Sequence, residues 1–110
     1  MDLGGGVYVS HVDSGEFEPD DEVGGLMHML FEEGEAMAGL WKPEPELTRD
    51  YVVDAALARE TIVVLSGSAR IEVQGGPTLD LSVGDIASLP SGAVTKWSPS
   101  LDFKKVWVYS

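Results

Sequence analysis

Two stretches decide how this chain is read. The first is Glu60-Thr61-Ile62-Val63-Val64-Leu65-Ser66-Gly67. The second, with residues 68–83 between them, is Gly84-Asp85-Ile86-Ala87-Ser88-Leu89-Pro90-Ser91-Gly92. The first is a run of β-branched and apolar residues closed by Ser66-Gly67-Ser68, which reads as a strand ending in a turn. In the second, Gly84-Asp85 and Pro90-Ser91-Gly92 bracket a short apolar run, Ile86–Leu89. Between them, Ala69, Ile71 and Val73 alternate with Arg70 and Glu72, and Leu79, Leu81 and Val83 alternate with Asp80 and Ser82. That period of two belongs to strands with one buried face, and Gly75-Gly76 is a tight hairpin signal.

The same grammar extends outward. Val7-Tyr8-Val9 is a short first strand. Residues 13–25 form an acidic, glycine-bearing loop. Leu26–Phe31 and Ala36–Trp41 read as a hairpin around Glu32-Glu33-Gly34-Glu35. Pro43 and Pro45 exclude a central strand after Lys42. Arg49–Val53, Val94–Trp97 and Phe103–Tyr109 complete the set. In the hairpin's first strand, His28 alternates with Leu26 and Leu30, and Met27, Met29 and Phe31 are expected on the other face. Val53–Arg59 is the one helical candidate, shorter than an isolated helix needs. About ten short strands in 110 residues predict one all-β domain over 1–110, with residues 1–25 as N-terminal strand and loop.

Composition narrows the chemistry. There is no cysteine, so disulfides, thiolate metal sites and a cysteine nucleophile are absent. Two histidines, His11 and His28, cannot make a single-chain site of three imidazoles. The formal charge is −12, and all of it arises in residues 1–54, where 14 acids face two bases; residues 55–110 balance at five and five. Such a field argues against nucleic acid and anionic membrane as partners. Met1 to Gly6 carry no basic region or apolar run, so a cytoplasmic protein is expected.

The pattern E-x6-G followed by G-D-x4-P-x-G resembles the two motifs of the cupin superfamily, a small jelly-roll β-barrel. Gly39-Leu40-Trp41, Trp97 and Lys104-Lys105-Val106-Trp107 are similar to the ethanolamine-utilisation and ureidoglycine-aminohydrolase type. The resemblance spans roughly residues 36–109, with the motif region at 54–97. It implies a barrel built around histidine-bound metal, yet the two H-x-H positions hold Asp54 and Ala56, or Val53 and Ala55, and the third histidine position holds Thr95. Of the usual four ligand positions, only Glu60 is kept. No metal or other cofactor is therefore expected.

Glu60 shares a face with Ile62 and Val64, and the resemblance implies that this face lines the barrel. A carboxylate there needs a partner. It is a candidate general acid or base, or an anchor for a substrate hydroxyl or amine. Thr95 offers a hydroxyl in place of an imidazole, and Trp97 a flat wall or plain core filling. His28 is a candidate pocket base, or equally a core or interface residue; with Glu60 and Asp54 it could also make a weak hard-metal site. His11 reads as a surface residue. Lys104 and Lys105 point to opposite faces, so one faces inward; Lys105 is the candidate ligand contact, alongside Trp41, Tyr51 and Trp107, each of which can also be core.

The expectation is a metal-independent cupin that binds a small organic molecule in its barrel. It would be an isomerase, cyclase or lyase using Glu60, or else a non-catalytic binding or interaction domain. An open, polar-lined barrel favours the small-molecule readings, and a barrel plugged by tryptophan and isoleucine disfavours them. Apolar residues on both faces of Met27–Phe31 predict a homodimer, because a small barrel buries only one face.

Overall fold

Glycine and proline turns cut the chain into strands too short for anything but layered antiparallel sheet. The computed structural model describes residues 1–110 and contains no helix. Its strands are β1 (Asp2–Gly4), β2 (Val7–Tyr8), β3 (Glu18–Pro19), β4 (Leu26–Glu33), β5 (Ala36–Lys42), β6 (Tyr51–Val53), β7 (Glu60–Ser66), β8 (Ser68–Val73), β9 (Thr78–Ser82), β10 (Ile86–Leu89), β11 (Thr95–Pro99) and β12 (Lys104–Tyr109). A six-stranded sheet runs β10-β7-β12-β5-β4-β3, a four-stranded sheet runs β6-β11-β8-β9, and β1 and β2 form a separate hairpin. Every pairing is antiparallel. The result is the all-β, jelly-roll cupin architecture of the sequence reading.

The core lies between the two large sheets. Trp41, Ile62, Val64, Leu89 and Trp107 come from the six-stranded sheet, Tyr51, Ala69, Ile71 and Trp97 from the four-stranded one, and Phe103 from the loop before β12. Register stacks the inward residues in transverse rows. One row is Leu89, Glu60, Tyr109 and Met37; the next is Ala87, Ile62, Trp107 and Gly39; the third is Val64, Lys105, Trp41 and Met27. Gly39 is required in the middle row. A Cβ there would lie 2.2 Å from the His28 carbonyl oxygen and 3.1 Å from the Trp107 indole, so a side chain would prise β4 from β5.

Two expectations are corrected. Residues 53–59 are not helical: Val53 ends β6, and Ala55 sits at φ +56°, a left-handed conformation that breaks any helical turn. Phe31 does not share a face with Met27 and Met29. The β4–β5 ladder slips between Met29 and Phe31, and this irregularity turns Phe31 to the outer face, where it stacks on Tyr8 at 5.9 Å. The outer face is also not bare. Residues 8–12 cross it and line, with His28, Leu30, Leu40 and Val106, an open groove of about 290 Å³. The second apolar face, from which a dimer was expected, is thus partly covered by the chain's own N-terminus.

Candidate functional site

The period of two puts Glu60 inward at the first position of β7, and Lys105 inward on β12 beside Val64. The lysine must reach past the middle row to meet the carboxylate. It does: Lys105 Nζ donates to Glu60 Oε2 at 2.6 Å. Both residues are buried, Glu60 at 4% exposure and Lys105 at 7%. The ammonium also lies 3.8 Å from the centroid of the Trp97 ring and 5.4 Å from that of Trp41. An ammonium over an indole face is held by the ring's quadrupole, more strongly when desolvated. One cation therefore has a carboxylate on one side and aromatic faces on the others.

Tyr109 flanks this pair. It stands opposite Glu60 in the β7–β12 ladder, is half-buried, and packs on Trp107 at 5.1 Å between ring centres. Burial, then the nearby charges of Glu60, Asp20 and Glu22, push its phenol up from 10.0 to about 12. The hydroxyl thus stays a proton donor beside Glu60. Glu60 opens its strand and Tyr109 is the last residue of β12, so the pair lies near one rim of the barrel.

A titration follows from this. One phenol should be released only near pH 12, and Tyr109→Phe should remove that step from the absorbance change at 295 nm. The folded chain keeps a proton that the unfolded chain loses at about 10. The associated stability is complete below pH 10 and declines as pH rises toward 12. A wild-type titration finished by pH 11 would contradict the placement.

The other candidates fall in different places. Trp97 is fully buried and its Nε1 donates to Thr95 Oγ1 at 2.9 Å, so an acceptor site of the Thr95 hydroxyl is committed inside the core. Tyr51 is also core, and its hydroxyl accepts from the Glu44 backbone N–H at 2.9 Å, anchoring the proline-bearing loop. Trp41 donates through Nε1 to the Gly24 carbonyl at 2.9 Å, tying the acidic loop down over the barrel. Trp107 is interior, in the row between Glu60 and Lys105.

His28 is not brought to Glu60. Its ring lies on the outer face, with Nδ1 donating to the Glu16 carbonyl at 2.8 Å and Nε2 against Ser10 Oγ at 2.6 Å. A carbonyl only accepts, so Nδ1 carries a proton, and Nε2 is left to the Ser10 hydroxyl. His28 fastens the N-terminal segment to the sheet. His11 is exposed, as expected.

The interior does not fit a metal ion. Asp54 is exposed, Thr95 is engaged by Trp97, and Glu60, the one carboxylate kept at a family ligand position, faces an ammonium. No three His, Asp or Glu side chains come together in a group able to hold one. Sequence reasoning missed Tyr109. The signal was present: Lys105, Trp107 and Tyr109 share one face of the last strand by the period of two.

Comparison with known proteins agrees with this architecture. The family model for EutQ-like cupin domains matches residues 32–107. A search of curated proteins found no match. Among solved structures, ethanolamine utilization protein Q of Salmonella typhimurium LT2 superposes with a TM-score of 0.68 at 19% identity, covering 84% of this chain and 76% of that one. The plu4264 protein of Photorhabdus luminescens gives 0.72 at 15% identity, covering 99% and 88%. Iron(II)-bound HppE in complex with its substrate gives 0.74 at 13% identity, covering 99% of this chain and 63% of that one. At these identities the likeness is one of fold.

Proposed function

This chain belongs to the EutQ-like cupin family, and from that premise we propose that it is a metal-independent cupin handling a small organic molecule at the rim of its barrel. Glu60 and Lys105 act there as a built-in acid–base pair. The observation that carries the reading is the 2.6 Å contact between two charged groups that are both buried. Such a pair is a poor device for stability alone, since well-packed apolar residues of equal volume are often as stable or more so. A buried ion pair kept at that cost is a candidate functional site. The protonated Tyr109 and the faces of Trp97 and Trp41 supply a donor and walls around the pair.

The filled interior favours a second reading. Ten side chains, five of them the rings of Trp41, Tyr51, Trp97, Phe103 and Trp107, occupy the space between the sheets. On that reading the barrel is an interaction domain with an inert interior, and the plugged-barrel outcome applies.

One experiment separates the two. Saturation-transfer NMR would be run on a panel of small neutral, amine and carboxylate compounds, comparing wild type with Glu60→Gln. The proposal expects contacts with at least one compound class that weaken at least about tenfold in the variant, the scale of one charged contact. A panel with no contact that depends on Glu60 removes the small-molecule reading and leaves the filled barrel.

A further inference from the structure

We propose that Lys105 is a carbonyl-capturing amine: it condenses with a small neutral aldehyde or ketone to form an iminium ion, with Glu60 carrying the protons. This rests on the reading above and names the substrate class of the same site.

The charge balance of the pair selects the chemistry. Acylation of Lys105 would leave a neutral amide, so Glu60 could return to its carboxylate form only without a partner in the interior. Carbon dioxide would give a carbamate, placing a second anion against Glu60. Condensation with a carbonyl replaces one cation by another. The ammonium and the carbonyl become an iminium and one water, and the Glu60 carboxylate has a positive partner at the start and at the end. Leaving a buried charge unpaired is strongly unfavourable, so the environment admits only the path that preserves the pair. The indole face 3.8 Å from Nζ serves the iminium as it serves the ammonium.

The groups for each proton transfer are present. Glu60 Oε2, 2.6 Å away, accepts a proton from the Lys105 ammonium. The freed lone pair adds to the carbonyl carbon as the C=O π bond opens onto oxygen, and the proton shed by the attacking nitrogen passes to that oxygen to give the neutral carbinolamine. The Tyr109 phenol is the donor that orients that oxygen. The hydroxyl then takes the proton held by Glu60 and leaves as water while the C=N bond forms. An amine made reactive by burial and an adjacent base is a recurrent form of activated nucleophile. The ligand is neutral because Glu60, Asp20 and Glu22 all act on the phenol at this rim, and a carboxylate-bearing carbonyl compound would meet their field. It is small because the surroundings are packed.

The test uses the full chain, propionaldehyde as probe and cyanoborohydride to reduce the adduct, at pH 6.5, with peptide mapping of the alkylated sites over time. Lys105 is expected to label at least about tenfold faster than the exposed Lys96, the low end of what a positioned general base contributes. Glu60→Gln, which keeps the amine and the packing, should slow Lys105 labelling by a similar factor and leave Lys96 unchanged. Lys105→Arg, which keeps the charge and serves if Glu60→Gln proves unstable, should abolish the fast site. Labelling that follows exposure, with Lys105 slowest, overturns the inference. The same sample examined by saturation transfer distinguishes the failures: contacts that depend on Glu60 without an adduct overturn carbonyl capture alone, and the absence of both overturns the site.

Discussion

Lys105→Met is expected to lower the unfolding free energy by about 3–5 kcal/mol, the cost of removing one member of a buried ion pair. The substitution preserves most of the side-chain volume, so packing explains little of the loss. What remains is Glu60, at 4% exposure, with no cation within reach and the chain's apolar rows around it. For a chain of this length the change corresponds to a fall of roughly 10–20 °C in Tm. The companion double variant, Lys105→Met with Glu60→Leu, should recover most of it, since two apolar residues replace two charges and neither is stranded. Urea unfolding of the wild type, both single variants and the double variant measures the coupling directly. A loss below about 1 kcal/mol for Lys105→Met, the range of exposed pairs, would show that the two groups are solvated in solution.

Trp97→Ala is expected to cost a similar amount, about 3–5 kcal/mol, as for other large-to-small changes in cores. The mechanism differs and so does the signature. Trp97 is among the largest fully buried side chains and contacts both Ile71 and Tyr51 across its neighbouring strands. Its loss opens a cavity, frees the Thr95 hydroxyl and removes the ring beneath the Lys105 ammonium. Trp97→Phe should recover part of the packing and of the cation–π contact, but not the hydrogen bond to Thr95. Stability of Trp97→Ala within about 1 kcal/mol of wild type would mean that the indole lines an open pocket, the ligand-wall role that its sequence position also allowed. Denaturant midpoints with unchanged slopes make the comparison valid.

Much of the molecule was legible because strand signals are local. Alternation along residues 69–73 and 79–83, and the turns at Gly67, Gly75-Gly76 and Gly84, depend only on neighbours in the chain, and they predict the motif strands closely. The candidate site was legible in part. Glu60 was chosen because a carboxylate on an inward face needs a partner, and Lys105 because one of two adjacent lysines must face inward. Their pairing was not readable, since 45 residues separate them. Phe31 was assigned to the wrong face because a slip in the β4–β5 ladder leaves no mark in composition or spacing. His28 looked like a pocket base because its strand is apolar on both faces; the β4–β5 register and the path of residues 8–12 show that its own face is outside.

By itself the sequence determined the fold class, the cupin motifs, the impossibility of a three-imidazole centre and the concentration of acid in residues 1–54. These follow from residue type, period and count, which do not depend on how distant segments meet. Tertiary structure alone decided which side chains share the barrel. Register brings Tyr109 opposite Glu60 and sets Lys105 two rows away, within reach of the carboxylate, while the N-terminal segment keeps His28 on the far side of the sheet. A register is a property of pairs of strands, and a one-residue change in it exchanges the two faces of a strand.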